Sequence, residues 1–168
     1  MKNKQGMKQL KITFLLIVFL SMTGIKATAH NIEVANADGQ FIFYKWTNNQ
    51  TELEVSYRGS SYYDYSNEYS GNVVIPESVT YNGNTYPVTS IGSSAFYYCS
   101  GLTSVTIPNS LTSIGDAAFK STAIYDNAPT GVLYVDKWVC GYKGTMPAHT
   151  AITLNEGTRG ISDNAFSY

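Results

Sequence analysis

Glu52 and Glu54 are the acidic pair whose spacing could serve catalysis. They alternate along a predicted strand over residues 52–57, which places both carboxylates on one face about 7 Å apart. A retaining glycosidase needs its two carboxylates about 5–5.5 Å apart and facing each other across a cleft. We therefore interpret the pair as an ordinary solvated strand face. The sequence contains no G-x-S-x-G, H-E-x-x-H or glycine-rich phosphate loop and predicts no enzyme.

The histidines and cysteines are too few and too scattered to suggest a metal site, which needs three or four converging ligands. We expect no metal and no cofactor. His149 lies in a predicted solvated loop, so catalysis is not expected from it. Cys99 and Cys140 could pair in an oxidising compartment, but Thr122 replaces Cys99 in the second copy of the repeat described below. A buried free thiol is therefore favoured, and the disulfide stays as the alternative.

The segment 60–70 (SSYYDYSNEYS) has the most unusual composition in the chain. Tyrosine and serine together offer a large contact area at a low cost in conformational entropy, as in antibody binding loops. We take Tyr62, Tyr63 and Tyr65 as candidate ligand contacts. The alternative is that these rings pack over the preceding strands and cover their edge. Trp138 is expected to pack in the interior, with ligand contact as its alternative role.

An internal repeat in the sequence predicts the framework that holds these candidate residues. The segment 88–96 (VTSIGSSAF) recurs as 111–119 (LTSIGDAAF), 23 positions later. A period of this length is typical of a solenoid, in which each coil hides its apolar side against the next. Between the copies, the segment 102–108 (LTSVTIP) reads as a short strand with a proline at its end. We expect one interior column of rings from Phe96, Phe119 and Phe166.

Two interruptions of the repeat are predicted to be hairpins. The segment 73–79 matches 105–111, but the next motif begins nine residues late. The extra residues include 80–87, which contain an Asn-Gly pair, the strongest short signature of a two-residue hairpin turn. A second hairpin is predicted near residues 131–143, in the place of a missing coil, because the last copy follows the second by 47 residues.

The motif V-T-S-I-G-x-x-A-F-x-x-C-x-x-L-T-S-V-T-I-P-N-S-L-T-S-I-G-x-x-A, over residues 88–118, resembles the BspA-like leucine-rich-repeat surface proteins of bacteria. The segments 72–86 and 132–166 are also similar to flanking pieces of that family. The resemblance implies a curved solenoid at the cell surface or beyond it, in a family whose members act as adhesins for host matrix proteins or other cells. It implies no enzyme.

The predicted architecture is a β-rich fold in the α/β class of leucine-rich repeats, a short curved solenoid of about three to four 23-residue coils over residues 72–168. Residues 30–71 lack the repeat and are predicted to form a β-rich N-terminal cap, with strands at 41–44 and 52–57. The sequence stops shortly after Phe166, where a convex turn should begin. We expect either a truncated array or a last coil whose open edge favours self-association.

The N-terminal segment, residues 1–29, has the three parts of a secretory signal peptide. It combines a basic start, an apolar run over residues 12–22 and a small-x-small end at 27–29. Cleavage is predicted before His30, and the apolar run is too short to span a membrane, which takes roughly 20 residues. We expect the protein to be exported to the cell surface or the extracellular space, with no membrane span after cleavage.

Export changes the net charge of the chain. The full sequence has 11 basic and 12 acidic residues, and the predicted signal peptide removes five lysines and no acid. The mature chain would then have six basic against twelve acidic residues, a net charge of −6. This charge disfavours nucleic acid and anionic membranes as partners.

The predicted function is a binding module for an extracellular protein ligand, used in adhesion. Solenoids of this kind usually bind through the outward side chains of their strands. In this chain those candidates are Val74, Ser104, Thr106 and Thr153. The alternatives are a carbohydrate-binding module with tyrosine and tryptophan platforms for a glycan, and a truncated structural remnant without a ligand.

Overall fold

The computed structural model describes residues 29–167, so most of the predicted signal peptide lies outside the described residues. Within this range the chain is mostly β, with eleven short strands, one short α-helix and a 3-10 turn at Asn48–Gln50. The strands and the helix, in chain order, are β1 Ile32–Ala35, β2 Phe41–Thr47, β3 Glu52–Ser56, β4 Gly71–Val74, β5 Ser78–Tyr81, β6 Asn84–Ile91, β7 Leu102–Thr106, β8 Ser113–Ile114, α1 Ala123–Asn127, β9 Gly131–Val135, β10 Trp138–Lys143 and β11 Gly160–Ile161. Between residues 29 and 167, no helix is long and apolar enough to cross a membrane.

The 23-residue period sets the register of the parallel strands in the six-stranded main sheet. Strand β8 lies beside β6 with Ile114 opposite Ile91. The turn that follows is paired in the same way, since the Phe96 N–H donates to the Ala118 carbonyl at 2.9 Å. The two sequence copies therefore stack as successive coils, as predicted.

The convex turn of the repeat keeps one backbone conformation in all three copies. Ser94, Ala117 and Asn164 occupy equivalent positions and have φ values of 58, 53 and 54°. A left-handed conformation at non-glycine residues is uncommon and must be held by the surrounding structure. The third copy, although it begins 47 residues after the second, forms the same turn.

The first predicted hairpin is confirmed. Strands β5 and β6 pair in antiparallel register with Tyr81 opposite Asn84. Asn82 and Gly83 close the turn with φ values of 49 and 80°, as a type I′ turn requires. On the other face of the coils, β4 and β7 are parallel with Val73 opposite Val105, which is the offset expected for one repeat plus nine inserted residues.

The N-terminal segment forms strands that continue the sheet of the coils. Strands β1, β2 and β3 are antiparallel, and β3 then pairs in parallel with β6, with Val55 opposite Ile91. Strands β2 and β3 were predicted, but β1 was not. The predicted strand at 41–44 is too short, because β2 continues through Trp46 to Thr47 and the turn begins at Asn48.

The second predicted hairpin forms, but it lies beyond the last coil. Strands β9 and β10 are antiparallel around Asp136. The Ser162 N–H donates to the Val139 carbonyl at 2.8 Å, and the next N–H, of Asp163, donates to the Ile114 carbonyl at 2.9 Å. Successive N–H groups of a strand point to opposite sides, so residues 161–163 lie between β8 and β10. The predictions of a hairpin in the place of the missing coil and of an open last edge are wrong, because β10 covers that edge.

The interior column of rings differs from the prediction at one end. Phe96 and Phe119 are buried and stacked, with centroids 5.2 Å apart and planes 15° apart. The third ring is Tyr69, whose centroid lies 4.8 Å from Phe96. Phe166, the predicted third member, is only half-buried. Tyr69 can occupy the interior because its hydroxyl donates to the Ser56 carbonyl at 2.7 Å and its polar atom is thereby satisfied.

Candidate functional site

A single carboxylate shapes the tyrosine-rich loop. Asp64 Oδ2 accepts hydrogen bonds from the Ser60 N–H (2.7 Å), the Ser60 hydroxyl (2.7 Å) and the Ser61 N–H (2.9 Å). Bonds to a charged acceptor are stronger than bonds between neutral groups. The backbone of this part of the loop is therefore held in place, and so are the tyrosines it carries.

Five tyrosine rings meet at this loop, and we call them the tyrosine cluster: Tyr57, Tyr62, Tyr63, Tyr97 and Tyr98. The centroid of Tyr62 lies 4.1 Å from that of Tyr63 and 4.9 Å from that of Tyr97. Tyr62 is half-buried, as the packing alternative predicts, but Tyr63 and Tyr98 are 62% and 43% exposed. Contiguous exposed apolar surface of this kind is typical of a contact site.

Basic side chains flank the tyrosines. The Arg58 guanidinium lies 4.7 Å from the ring centroid of Tyr65, which is 44% exposed. On the other side, a hydrogen bond with Tyr62 raises the pKa of Tyr63, and the charge of nearby Lys120 opposes that shift. The cluster is therefore an aromatic surface with positive flanks on a chain that is acidic overall.

Two of the five rings in this cluster were predicted from the sequence. Tyr62 and Tyr63 were predicted as contacts, but Tyr57, Tyr97 and Tyr98 were missed. The second copy of the repeat has Lys120 and Ser121 in the places of Tyr97 and Tyr98. Two adjacent aromatic residues at positions that are polar in the other copy were the available signal, because repeat positions that serve only packing keep their apolar character.

The predicted strand-face contacts do not form one continuous row. Val74 and Thr106 are opposite each other in β4 and β7, and the exposed Ser104 donates to Asn72 Oδ1 at 2.7 Å. Thr153 is exposed, but residues 151–155 form no strand. These small side chains offer little surface for a ligand.

Trp138 is not a contact residue. It is 4% exposed and belongs to the same buried cluster as Val135 and Phe119. The packing interpretation of this residue is therefore confirmed, and its candidacy as a ligand contact is wrong. The hairpin brings the indole to the end of the core.

Glu52 and Glu54 are engaged by neighbouring side chains. Glu54 accepts from the Ser90 hydroxyl at 3.1 Å and lies 2.6 Å from Lys45 Nζ. Glu52 accepts from the Thr89 hydroxyl at 2.8 Å. This arrangement fits a structural role on the strand face. Among residues 29–167, no group of three or more histidine, cysteine, aspartate or glutamate side chains is placed to hold a metal ion.

The repeated coils match a known family. Residues 83–128 match the family described as "BspA type Leucine rich repeat region (6 copies)". These residues form leucine-rich repeats of the BspA type. The matched span is two 23-residue periods long, and it includes β6, both stacked turns and α1.

Two solved structures are similar over part of the chain. One is a leucine-rich repeat protein from Bacteroides ovatus, with 36% identity over 46% of this chain and 19% of that chain, at a TM-score of 0.37. The other is a leucine rich cell surface protein from Faecalibacterium prausnitzii, with 18% identity over 54% of this chain and 28% of that chain, at a TM-score of 0.33. The chain thus spans less than a third of the length of either structure. No curated protein matches the sequence.

The two cysteines are free thiols. Cys99 is buried just after the convex turn of the first repeat, and Cys140 is half-buried in β10. Burial raises the pKa of Cys99 to about 11 and that of Cys140 to about 12. Both are therefore protonated and unreactive at neutral pH, and the disulfide alternative is wrong.

Glu68 connects the tyrosine-rich loop to the chain before it. Its Oε2 accepts the Arg58 N–H at 3.0 Å. Burial raises the pKa of the Glu68 carboxyl from 4.5 to about 7, against the smaller lowering effects of that hydrogen bond and of the Arg58 charge. The folded state thus binds the Glu68 proton more tightly than the unfolded chain does.

A pH-dependent stability follows from Glu68. Because its pKa is higher in the folded state, its contribution is most favourable at low pH and is lost as the pH rises from 4.5 towards about 7. We expect Glu68→Gln to remove this loss. The melting temperature of the variant should therefore rise relative to that of the wild type as the pH increases from about 5 to about 8. Glu77→Gln is the control. Hydrogen bonds from the Asn109 and Ser110 N–H groups lower the pKa of Glu77, so the stability that Glu77 contributes increases with pH instead of decreasing. Parallel melting curves for wild type and Glu68→Gln would contradict the prediction.

Proposed function

We propose that the protein is an exported module that adheres to host matrix proteins or to other cells through the tyrosine cluster. The BspA-type repeats support a protein-binding repeat module. The signal-peptide pattern of residues 1–29 supports export. The observation that carries the proposal is the exposure of two neighbouring rings. Tyr63 lies on the loop held by Asp64, and Tyr98 lies on a coil whose backbone is bonded to the next coil.

The geometry of the tyrosine cluster suits a protein ligand. Tyrosine is enriched among the residues that dominate binding energy at protein interfaces. The rings of Tyr97 and Tyr98 already contact each other, with centroids 4.4 Å apart, so little conformational freedom is lost when a partner binds. The positive flanks at Arg58 and Lys120 favour an acidic partner surface.

We expect the double variant Tyr63→Ala/Tyr98→Ala to weaken binding about thirtyfold, the effect of roughly 2 kcal/mol at an interface centre. The chain from His30 onward would be tested by pull-down against extracellular matrix proteins and whole cells. The affinity of each variant for the captured partner would then be measured by surface plasmon resonance.

Phe41→Ala is the matched control for this experiment. Phe41 is 58% exposed, close to the 62% of Tyr63, but it lies outside the cluster. The control should bind like the wild type. Equal binding by the double variant and the wild type would exclude the cluster as the contact surface.

We further infer that residues 30–71 form the N-terminal cap and that residues 72–168 supply the coils, about three to four in number. The parallel pairing of β3 with β6 supports a cap that presents a ready strand edge to the first coil. Strand β4 begins at Gly71, next to the proposed boundary. A chain starting at Gly71 should lack a stable fold by circular dichroism, because β6 would lose its neighbour.

A further inference from the structure

We propose that the tyrosine cluster is also a modification site, at which one-electron oxidation joins the rings of Tyr63 and Tyr98 by a carbon–carbon bond. The oxidant is hydrogen peroxide acting through a haem peroxidase, a reagent of the oxidising space outside the cell. The proposal therefore rests on the export that we propose, but not on the proposed contact with a protein. The product, a dityrosine, fixes the tyrosine-rich loop (residues 60–70) to the coil that carries Tyr98.

Tyr63 and Tyr98 are the two rings of the cluster that an external oxidant reaches most readily. Tyr63 is 62% exposed and Tyr98 is 43% exposed, whereas the other three rings of the cluster are half-buried. A phenol that gives up an electron also gives up its hydroxyl proton, and water must be present to accept that proton. Exposure therefore favours radical formation on these two rings.

The geometry of the pair suits coupling between ring carbons. The ring centroids of Tyr63 and Tyr98 are 5.7 Å apart, and the ring planes are tilted by 45°. This separation lies within the roughly 4.5–7 Å at which aromatic rings are in contact, so a small rotation of two exposed side chains brings their carbons together. Tyr97, in contrast, meets Tyr62 and Tyr63 edge to face, at 61° and 73°. Those pairs would have to turn further before two ring edges could meet.

The loop and the coil are held in position before any reaction. Asp64 Oδ2 accepts the Ser60 and Ser61 N–H groups on the loop side. On the coil side, the Tyr98 N–H donates to the Lys120 carbonyl at 3.3 Å. Two reactants that are held side by side react much faster than the same groups free in solution. Coupling within one chain should therefore outpace coupling between two chains.

The reaction balances with hydrogen peroxide as the only co-substrate. The peroxidase removes one electron from each phenol, and each hydroxyl proton leaves with it. The two phenoxyl radicals couple at the ring carbons beside the hydroxyl-bearing carbons, and the hydrogens on these two carbons return to the phenolic oxygens. The chain has then lost two hydrogen atoms, and one molecule of hydrogen peroxide has been reduced to two molecules of water.

The new bond would act as a staple in the fold. It joins residues that are 35 positions apart in the sequence. Closing a loop of this length restricts the unfolded chain, as a disulfide does, but a carbon–carbon bond is not cleaved by reductants. Both cysteines are free thiols, so the dityrosine would supply a crosslink that the cysteines do not.

Peptide mapping tests the proposal directly. The chain from His30 onward would be treated with a plant haem peroxidase and hydrogen peroxide, digested with trypsin and a glutamate-specific protease, and analysed by mass spectrometry. The two proteases separate the rings by cutting at four positions, after Arg58, Glu68, Glu77 and Lys120. Tyr63 is then on peptide 59–68 and Tyr98 on peptide 78–120. We expect these two peptides to be joined, with the loss of two hydrogen atoms, in a yield that does not change when the protein is diluted. Absence of the joined peptide, or a yield that falls on dilution, would overturn the proposal.

Phenylalanine variants identify the reacting pair, because phenylalanine has no hydroxyl group to oxidise. Tyr63→Phe and Tyr98→Phe, each checked to be folded by circular dichroism, should abolish the joined peptide. Tyr65→Phe is the matched control and should keep the wild-type yield. Tyr65 lies on the same peptide as Tyr63 and is 44% exposed, but its ring is covered by the Arg58 guanidinium and pairs with no other ring among the described residues. A wild-type yield from Tyr63→Phe or Tyr98→Phe would refute the assignment. The reaction is measured without a ligand, so the proposed protein contact is judged separately by its own binding experiment.

Discussion

Phe119→Ala is expected to lower the free energy of unfolding by about 3–5 kcal/mol, the usual cost of deleting a buried ring. Phe119 is 1% exposed, and its ring is stacked on Phe96 in the preceding coil. Removing it leaves a cavity between coils whose backbones are bonded to each other, so the surroundings cannot close around the gap. Domains of this size have about 5–15 kcal/mol of stability in total. The measurement is urea denaturation followed by circular dichroism.

Two further variants define what this result means. Phe41→Ala, at a ring 58% exposed, should change stability by no more than about 0.5 kcal/mol. Phe166→Ala should fall between the two, because Phe166 is half-buried. If Phe119→Ala cost no more than Phe41→Ala, the rings of successive coils would not share an interior.

The stacked coils could be predicted because one period determines several contacts at once. A 23-residue repeat that places Ile91 opposite Ile114 also places Phe96 beside Phe119. The hairpin at Asn82 could also be predicted, since few residue pairs allow two successive positive φ values. In both cases the deciding interaction lies between residues that are near in sequence or related by the repeat.

The two ends of the core could not be predicted in this way. Tyr69 is the first ring in the interior column, but it does not precede Phe96 by one 23-residue period. It comes from the segment before the repeats, where the spacing of the repeat does not apply. The position of the last hairpin depends on which edge of the final coil is unpaired, and a periodic pattern does not contain that information. The hairpin therefore covers the edge of the last coil that was predicted to be open.

The tyrosine cluster shows the same limit. Tyr62 and Tyr63 stand out by local composition, whereas Tyr57 and Tyr97, which contact Tyr62, lie in other segments of the chain. Only the fold brings these rings together, so local composition could not reveal the whole cluster.

Gly115→Ala is expected to destabilise the fold by about 3 kcal/mol, at the upper end of the usual cost of overpacking. A Cβ atom at Gly115 would overlap the backbone nitrogen of Ser93 and lie 2.9 Å from the carbonyl carbon of Gly92, both in the preceding coil. The backbone cannot move away, because the Gly115 N–H donates to the Ile91 carbonyl at 2.8 Å. This close approach explains why the repeat has glycine after isoleucine in both complete copies.

Gly101→Ala is the matched control, since its added Cβ would lie 3.1 Å from the Cβ of the exposed Ser70, a contact that a small shift of Ser70 relieves. Replacing glycine by alanine also restricts the unfolded chain, which stabilises a protein by about 0.4–1 kcal/mol where the new side chain fits. At Gly101 this gain should offset the contact and leave the urea midpoint nearly unchanged, whereas at Gly115 the clash with backbone atoms must dominate. If both variants unfolded at the wild-type midpoint, the coils would be further apart than the hydrogen bonds between them indicate, and the stacking of repeats would not determine the fold.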